Sequence, residues 1–257
     1  MDWYKDVTLL ITHYNRTVSL ERLLRSFQKL EISFAATVVA DDGSNASQLQ
    51  QLTALQQKYG FQLVTAEKNS GLAANINRGQ KAAATRYILY VQEDFEANAL
   101  FKKTLPEAMM AMERDKGLDL VRFFAHFRYP YLIPYTDEFE EVAIPSFATD
   151  YNKIYAYSDT PHLKRASFTD RFGLYREDLA ADRMEYRMCV SFIVNKGRCL
   201  LSTDYAKLFT HTNISGEPST TRRPPRQTSK ALHIRIARFC YRQLRYNLDL
   251  LTTRRKS

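Results

Sequence analysis

The chain has 257 residues, of which 45% are hydrophobic and 25% charged, so it is long enough for one large globular domain with an extension. Its three cysteines form no CxxC pair, and the sequence opens without a signal-peptide pattern. No apolar run reaches the length of about 18 residues that is needed to span a membrane. We therefore expect a cytoplasmic protein that is neither secreted nor integral. Residues 217–257 hold 11 of the 37 Lys and Arg residues but 2 of the 28 Asp and Glu residues. Residues 1–216 therefore contain 26 residues of each sign and have no net charge. This neutral body argues against nucleic-acid binding.

The first half of the chain alternates predicted strands and helices. The continuous apolar run over 7–12 predicts a strand that is covered on both faces, and further strands are predicted over 35–40, 62–65 and 87–91. Between them apolar residues recur every three or four positions, which predicts amphipathic helices. Alternation with short loops indicates a parallel sheet with right-handed crossovers, so the polar strand ends should share one edge.

The fourth predicted strand runs directly into Gln92, Glu93 and Asp94. Two carboxylates at the end of a buried strand cost free energy unless they are paired, and a divalent cation is a common partner. In open α/β sheets, ligands bind at the carboxyl ends of the strands. We therefore predict a metal and diphosphate site here. The alternative is a polar strand end in which Glu93 or Asp94 caps the next helix.

The residues after the first predicted strand exclude two common nucleotide-binding classes. His13-Tyr14-Asn15-Arg16 stands where a dinucleotide-binding domain would carry Gly-x-Gly-x-x-Gly, and the chain contains no Gly-x-x-x-x-Gly-Lys-Ser/Thr. Neither a dehydrogenase nor a P-loop enzyme is expected.

Four motifs in order resemble those of family 2 glycosyltransferases. They are Thr12-x-Tyr14-Asn15-Arg16, then Asp41-Asp42-Gly43-Ser44, then Asn69-Ser70-Gly71 with Asn77-x-Gly79, and finally the carboxylate pair after the fourth strand. The resemblance implies an α/β protein with the GT-A fold, in which a mostly parallel central sheet is flanked by helices. It also implies a catalytic domain over 1–216, with a nucleotide-sugar-binding half (1–117) and an acceptor-binding half (118–216), followed by a basic loop and amphipathic helix over 217–257.

By this resemblance, the enzyme moves a sugar from a nucleoside-diphosphate donor to an acceptor hydroxyl with inversion. Asp42, with Asp41 beside it, would accept from the imide N–H of uracil or thymine, which favours a UDP or dTDP donor. Tyr14 would stack on the base; its alternative role is that of a packed strand-end aromatic. The other residues assigned to the donor are Thr12, Asn15, Asn69, Gly71 and Asn77, of which Asn77 has the alternative of a helix-surface amide.

The resemblance further implies a divalent cation, Mn²⁺ or Mg²⁺, at the departing diphosphate. Asp94 occupies the metal position, and Glu93 the place of the acid that contacts the donor sugar or ribose. The sequence departs from the family at Gln92, where an acid is usual, and at Ile76, where an Arg is frequent. His211 is expected to complete the metal shell or to contact the diphosphate, with a strand-end histidine as the alternative.

The second half offers candidates for the acceptor site and the general base. Residues 122–135 are rich in aromatics and form either an acceptor wall or a core under a loop, and His126 shares this ambiguity. Relatives place the base at the start of a helix in such a segment as 168–187. Glu185 is the first choice, Asp182 the second and Asp178 the third; each has the alternative of a solvated helix carboxylate. A strand is predicted over 190–194.

The tail combines a basic loop and an amphipathic helix. Arg222, Arg223 and Arg226 predict a loop that closes over the diphosphate or stays solvated. Apolar residues from Ile234 to Leu251 repeat every three or four positions beside a stripe of arginines. This helix could pack on the catalytic domain, pair with a partner helix, or bind an anionic membrane through residues 228–251, which would suit a lipid-linked glycan acceptor at the inner face of a membrane.

Two functions from different classes follow. The first is an active glycosyltransferase acting on a glycan or lipid-linked glycan. The second is an inactive GT-A-like binding or scaffold module, for which Gln92 and Ile76 are the arguments.

Overall fold

A nine-stranded mixed sheet forms the centre of the computed structural model, which describes residues 2–212, Glu217 and 232–255. Its strand order is β3-β2-β1-β4-β9-β6-β10-β8-β7, and β5 and β11 form a separate two-stranded ribbon. The strands are β1 (Asp2–His13), β2 (Ile32–Asp41), β3 (Gln62–Thr65), β4 (Tyr87–Gln92), β5 (Phe95–Ala97), β6 (Leu120–Arg122), β7 (Leu132–Pro134), β8 (Phe139–Val142), β9 (His162–Arg165), β10 (Cys199–Ser202) and β11 (Phe209–His211). The helices are α1 (Thr17–Lys29), α2 (Ala46–Tyr59), α3 (Leu72–Ala82), α4 (Ala99–Arg114), α5 (Phe168–Phe172), α6 (Ala181–Val194) and α7 (Leu232–Thr252), with a 3₁₀ helix at Tyr151–Tyr155.

The α/β architecture predicted from the alternating pattern is confirmed. Strands β3, β2, β1 and β4 are parallel neighbours, and a helix follows each of the first three. Strand β9 then lies antiparallel between β4 and β6, which makes the sheet mixed. Because the parallel strands are in register at Thr12, Ala40 and Gln92, their polar ends meet at one edge.

Strand β1 is the centre of the core, and its apolar residues from Val7 to Ile11 are buried on both faces. Leu9 and Ile11 belong to the hydrophobic cluster that also contains residues of α1 and α4, while Leu10 belongs to the cluster shared with α3 and α6. Gly79 allows α3 to lie directly on this second face, because a Cβ there would collide with Leu10 and lie 2.9 Å from the Cβ of Ala40. The third sequence motif thus has a packing role as well as a chemical one.

The strand predicted over 190–194 is wrong. These residues form the last turns of α6, which buries Met184, Met188 and Phe192 at helical spacing. A short apolar run does not by itself distinguish a strand from a buried helix segment.

Helix α7 contacts the 3₁₀ helix and α6 with one face. Gln243 accepts from the backbone N–H of Tyr151 at 3.1 Å, Asn247 accepts from Lys153 at 2.6 Å, and Tyr186 donates to Asp249 at 2.7 Å. Within the part of the chain that is described, none of the helices combines the length and the apolar character needed to cross a bilayer.

Candidate active site

Asp41 lies at the end of β2 as a fully buried support for the turn that follows. Its carboxylate contacts Nδ1 of His13 at 2.8 Å and accepts from the backbone N–H and the hydroxyl of Ser44. Burial acts to raise the pKa of Asp41, but the hydrogen bonds from His13 and Ser44 outweigh it and hold the pKa below its usual range. Both oxygens of Asp41 are therefore engaged within the protein, and its expected contact with the donor base stays a prediction.

Asp42 joins the second motif to the third. Its carboxylate accepts from the backbone N–H of Ser70 at 3.0 Å, from the hydroxyl of Ser70 at 2.9 Å and from the N–H of Gly71 at 2.8 Å. Arg78 approaches the same carboxylate at 3.4 Å. Asn69, next to these residues, is exposed. The predicted donor residues Asp42, Asn69 and Gly71 are therefore neighbours at the N-terminus of α3.

The remaining residues of the first motif lie at the end of β1 or directly after it. Thr12 is buried and contacts the hydroxyl of Tyr90 at 3.1 Å, while the side chain of Tyr14 is partly exposed. Asn15 has a positive φ of 53° and accepts from the backbone N–H and the side-chain amide of Asn45. Asn15 thus fixes the turn after β2, and the predicted stacking of Tyr14 on a base stays a prediction.

Asn77 has a different partner from the one expected. Its Oδ1 accepts from the backbone N–H of Tyr175 at 3.0 Å, and its Nδ2 donates to the carbonyl of Tyr175 at 2.8 Å and to Glu177 at 2.9 Å. This amide attaches the segment after α5 to α3. The hydrogen-bonding groups of Asn77 are used within the protein, and its expected contact with ribose or diphosphate stays a prediction.

A buried arginine lies between the two carboxylates that follow β4. Nη1 of Arg16 is 3.2 Å from Glu93 and 2.9 Å from Asp94. Burial and the adjacent charge of Asp94 raise the pKa of Glu93 above its usual range. For Asp94 burial also acts to raise the pKa, but hydrogen bonds from His211 and Arg16 hold it below its usual range. The sequence motif contained Arg16 but did not reveal this pairing.

His211 reaches Asp94 through the β5–β11 ribbon. His211 pairs with Phe95 in the ribbon, their rings stack at 4.9 Å, and Nε2 of His211 is 3.2 Å from Oδ2 of Asp94. The backbone N–H of Thr212 donates to the carbonyl of Asp94 at 3.0 Å. The two predicted metal ligands are thus adjacent although they are far apart in sequence.

The residues present fit a divalent cation only if the donor supplies further oxygens. Oδ1 of Asp94 is buried without a hydrogen-bond partner, so one carboxylate oxygen is available to a cation. Within the described residues there is no group of three His, Cys, Asp or Glu side chains that could hold a metal. Asp94 and His211 would therefore provide two ligands, and diphosphate oxygens would complete the coordination.

The chain beyond β11 returns to helix α1. The carboxylate of Glu217 accepts from the backbone N–H groups of Val18 and Ser19, both at 2.9 Å, and from the hydroxyl of Ser19 at 2.6 Å. It supplies the N-terminal cap that the side chain of Arg16 does not. The predicted loop of Arg222, Arg223 and Arg226 lies outside the described residues.

A cavity of about 310 Å³ brings the acidic strand end to helix α6. Asp94 and His211 line it together with Asp182 and Glu185, the two leading candidates for the base. Asp182 is exposed and has no ion-pair or hydrogen-bond partner among the described residues. Glu185 instead accepts from the hydroxyl of Ser158 at 2.6 Å and the N–H of Asp159 at 3.1 Å.

The third candidate for the base lies outside this cavity. Asp178 is exposed and forms a two-point ion pair with Arg176, at 2.8 and 2.7 Å. This pairing lowers the pKa of Asp178 to about 2.

Aromatic side chains complete the cavity wall. Phe127, Tyr129 and Tyr155 line it, and the exposed His126 packs edge-on against His211 with ring centroids 6.1 Å apart. The aromatic segment therefore contributes both to the wall and to the core, as Tyr129 is 2% exposed. Asp159 and Ser158 also line the cavity, and no sequence pattern singled them out.

The comparison with protein families gives one match. Residues 8–179, more than half of the chain, match the family model described as Glycosyl transferase family 2. Among curated proteins, an uncharacterized protein of Methanocaldococcus jannaschii is 29% identical over 46% of this chain. The chain spans 56% of the length of that relative.

Solved structures of the same architecture include two complexes with nucleotide sugars. S. aureus TarS (residues 1–349) in complex with UDP-GlcNAc has a TM-score of 0.62 and 18% identity, covering 100% of this chain and 68% of that one. The mannosyltransferase PcManGT from Pyrobaculum calidifontis, in complex with GDP-Man and Mn²⁺, has a TM-score of 0.58 and 13% identity, covering 98% of this chain and 66% of that one. These likenesses confirm the GT-A fold.

Proposed function

The chain belongs to glycosyl transferase family 2, and from this premise we propose that it transfers a sugar from a nucleoside-diphosphate donor to an acceptor hydroxyl. The observation that carries the proposal is the cavity lined jointly by Asp94, His211 and the carboxylates of α6. A donor diphosphate at the first pair and an acceptor hydroxyl at the second would meet in this space. Residues 1–117 would then bind the donor and 118–216 the acceptor.

The donor is proposed to be a UDP or dTDP sugar bound at the ends of β1 and β2. The partly exposed ring of Tyr14 would stack on the base, Asp42 would accept its imide N–H, and Asn69 and Gly71 would contact ribose or diphosphate at the N-terminus of α3. TarS, a structural neighbour, was solved with UDP and with UDP-GlcNAc, whereas PcManGT was solved with GDP-Man.

Asp94 and His211 are proposed to hold a divalent cation against the donor diphosphate. A bound cation would neutralise charge on the departing diphosphate. The unpartnered Oδ1 of Asp94 supports this role, and Glu93 would contact the donor sugar or ribose from the same strand end. Arg16 keeps both acids in place by neutralising part of their charge.

Asp182 is proposed as the general base. It would accept the proton of the acceptor hydroxyl while the new C–O bond forms at the anomeric carbon, the bond to the diphosphate breaks, and the configuration inverts. Its exposed and unpartnered carboxylate supports this choice over Glu185, which is held by Ser158 and Asp159. We expect Asp182→Asn to lower kcat by about 100-fold or more and Glu185→Gln to lower it much less. The reverse order would assign the base to Glu185.

The experiment for the function measures nucleoside-diphosphate release from UDP-GlcNAc, UDP-glucose, dTDP-glucose and GDP-mannose, with and without Mn²⁺. At least one donor should give metal-dependent release, and Asp94→Asn should reduce it by about 100-fold or more, since ligand and charge are lost together. Asp204→Asn is the matched control, because Asp204 forms a surface ion pair with Lys207. Equal release by wild type and Asp94→Asn would contradict the proposal.

The alternative function is a GT-A-like module that binds without catalysing. Gln92 and the absence of a three-ligand cluster within the described residues favour it. A thermal-shift series with UDP, dTDP, GDP and CMP, each with and without Mn²⁺, separates the two, since a ligand of the native state raises apparent stability. Nucleotide binding without turnover of any donor would support the module.

We also propose that α7 attaches the protein to the inner face of an anionic membrane, where a lipid-linked glycan would be presented. The face of α7 that does not contact α6 exposes Leu244 (75%), Leu248 (60%) and Leu251 (84%). Arginines flank this face, and the tail carries the chain's whole excess of positive charge. Apolar contact and attraction to anionic lipids would then act together.

A further inference from the structure

Glu217 is a buried carboxylate whose charge is balanced by a helix rather than by a cation. It is 7% exposed, and no Lys, Arg or His in the described part of the chain forms an ion pair with it. Its Oε1 accepts from the backbone N–H of Val18, and its Oε2 accepts from the N–H and the hydroxyl of Ser19. A buried carboxylate is costly unless donors surround it, and here the free N–H groups and the positive end of the α1 dipole take that role.

The helix end that Glu217 caps begins directly after Arg16. Val18 and Ser19 are the second and third residues of α1, and their N–H groups have no acceptor within the helix. From its place just before the helix, Arg16 reaches the carboxylates that follow β4. Helix ends fray where their free N–H groups lack partners. Fraying of this first turn would therefore release the arginine that pairs with both acids.

The end of β11 is attached to the same helix from the other side. Arg22 of α1 donates to the carbonyl of Thr212 at 3.0 Å, and the N–H of Thr212 donates to the carbonyl of Asp94 at 3.0 Å. His211 belongs to a ribbon of two short strands that is separate from the nine-stranded sheet. Because two strands alone are only marginally stable in water, such a ribbon needs further attachment. Glu217, a few residues after Thr212 in the sequence, supplies it.

We propose that Glu217 is a positioning residue for the reaction proposed above, because its cap on α1 holds Arg16 and the end of β11 together at Asp94. The inference rests on the proposed function, in which Asp94 and His211 hold a cation against the donor diphosphate. One carboxylate thus serves both sides of this site: it orders the helix end next to the arginine, and it fixes the strand end that carries the histidine. Removing an outer partner of this kind typically weakens metal binding by about 10- to 100-fold.

Glu217→Ala tests the proposal through the affinity for UDP, measured by calorimetry with and without Mn²⁺. The ratio of the two dissociation constants reports how strongly metal and nucleotide support one another. We expect Glu217→Ala to reduce this ratio by about tenfold or more and to leave the metal-free affinity within about twofold of wild type, because the proposed base contacts of Tyr14 and Asp42 do not involve the cap. Glu217→Gln retains one acceptor oxygen, so it should recover part of the loss. Asp150→Ala is the matched control, since it removes a cap from the 3₁₀ helix, which contacts α6 and α7.

A cap with a purely structural role would give a different result. Glu217→Ala and Asp150→Ala would then both lower the melting temperature, and the folded fraction of each variant would keep the wild-type ratio of UDP affinities. That result would overturn the proposal. An equal loss of the metal-free affinity for UDP in Glu217→Ala would also overturn it, because it would indicate general disruption of the donor site.

Hydrogen exchange decides about the attachment without metal or turnover. The N–H of Thr212 donates to Asp94, so its exchange rate reports whether the end of β11 stays on the acidic strand end. In Glu217→Ala this N–H should exchange about tenfold faster or more, beyond the change in the middle of β1, which follows the overall stability. Faster exchange confined to Val18 and Ser19 would contradict the proposal. If Mn²⁺ does not tighten UDP binding to wild type, the proposed metal site fails, whereas the exchange experiment still tests Glu217.

Discussion

Arg16 balances the charge of the acidic strand end. Its guanidinium contacts Glu93 and Asp94, and the side chains of all three are at most 11% exposed. Removing one partner of a buried ion pair leaves an uncompensated charge, which costs more than the pair itself contributes. The arrangement keeps two neighbouring acids together before any cation or donor arrives.

Replacing Arg16 by methionine should therefore destabilise the protein by about 3 kcal/mol, measured by urea unfolding at neutral pH. The double variant Arg16→Met/Asp94→Asn should recover part of this loss, because the stranded charge is then gone. Arg25→Met is the control, since the Arg25–Glu21 pair is on the surface and little change is expected. A fully additive double variant would show that the two side chains are not coupled.

For single residues, the sequence predicted which side chains lie close together better than it predicted their hydrogen-bond partners. Asp94 and His211 were expected together, and they are in contact; Asp182 and Glu185 were expected near the acceptor, and they line the same cavity. The hydrogen-bond partners of Asn77 and Asp41 within the protein could not be predicted, because a residue type does not reveal which neighbouring groups will contact it. Asp159 had no signal at all, since a single acid in a loop carries no spacing or periodicity.

Among the secondary-structure elements, strand β9 could not be predicted from the sequence pattern. Its four residues, His162 to Arg165, are largely polar, yet β9 lies between β4 and β6 in the centre of the sheet. Lys164 is fully buried there, and its ammonium group contacts the hydroxyl of Tyr175 at 3.1 Å and lies over the rings of Phe168 and Tyr175. By contrast, β1 and β4 were predictable because continuous apolar runs are typical of strands buried on both faces.

The buried lysine gives β9 a measurable pH dependence. Burial lowers the pKa of Lys164 to about 7, whereas the unfolded chain has a value of about 10.4. Between these values the unfolded state holds a proton that the folded state lacks, so the stability of wild type rises with pH. Lys164→Met should be more stable than wild type below about pH 7, and the difference should shrink toward about pH 10.

Chemical unfolding of both proteins at several pH values checks this expectation. Lys81→Met, on the surface of α3, is the matched control, because its stability difference should not vary with pH over that range. A difference for Lys164→Met that is independent of pH would show that Lys164 stays charged in the folded protein.

Over the whole molecule, positive charge and exposed apolar surface coincide on α7. The body is neutral, while residues 217–257 carry a large excess of arginine and lysine. One face of α7 is occupied by contacts with Tyr151, Lys153 and Tyr186, and the other exposes leucines. An amphipathic helix attached to a globular domain in this way is well arranged to meet a charged surface.

Vesicle flotation tests the membrane proposal with the full chain. Binding to vesicles with anionic lipid should fall by about tenfold or more for the variant Leu244→Ser/Leu248→Ser/Leu251→Ser, and it should weaken as salt rises. The triple variant keeps the contacts of α7 with the body, so it separates membrane binding from folding. Equal flotation of both proteins, or equal flotation with neutral lipid, would contradict the proposal.

The ribbon of β5 and β11 affects when the proposed metal site can form during translation. Asp94 and His211 are 117 positions apart, and Glu217 caps a helix that begins at Thr17. A nascent chain that has emerged as far as the middle of α6 already holds the donor-side strands, yet it lacks the second proposed metal ligand and the cap on α1. The proposed metal site would therefore be complete only after His211 and Glu217 have been synthesised, well after the donor-side strands.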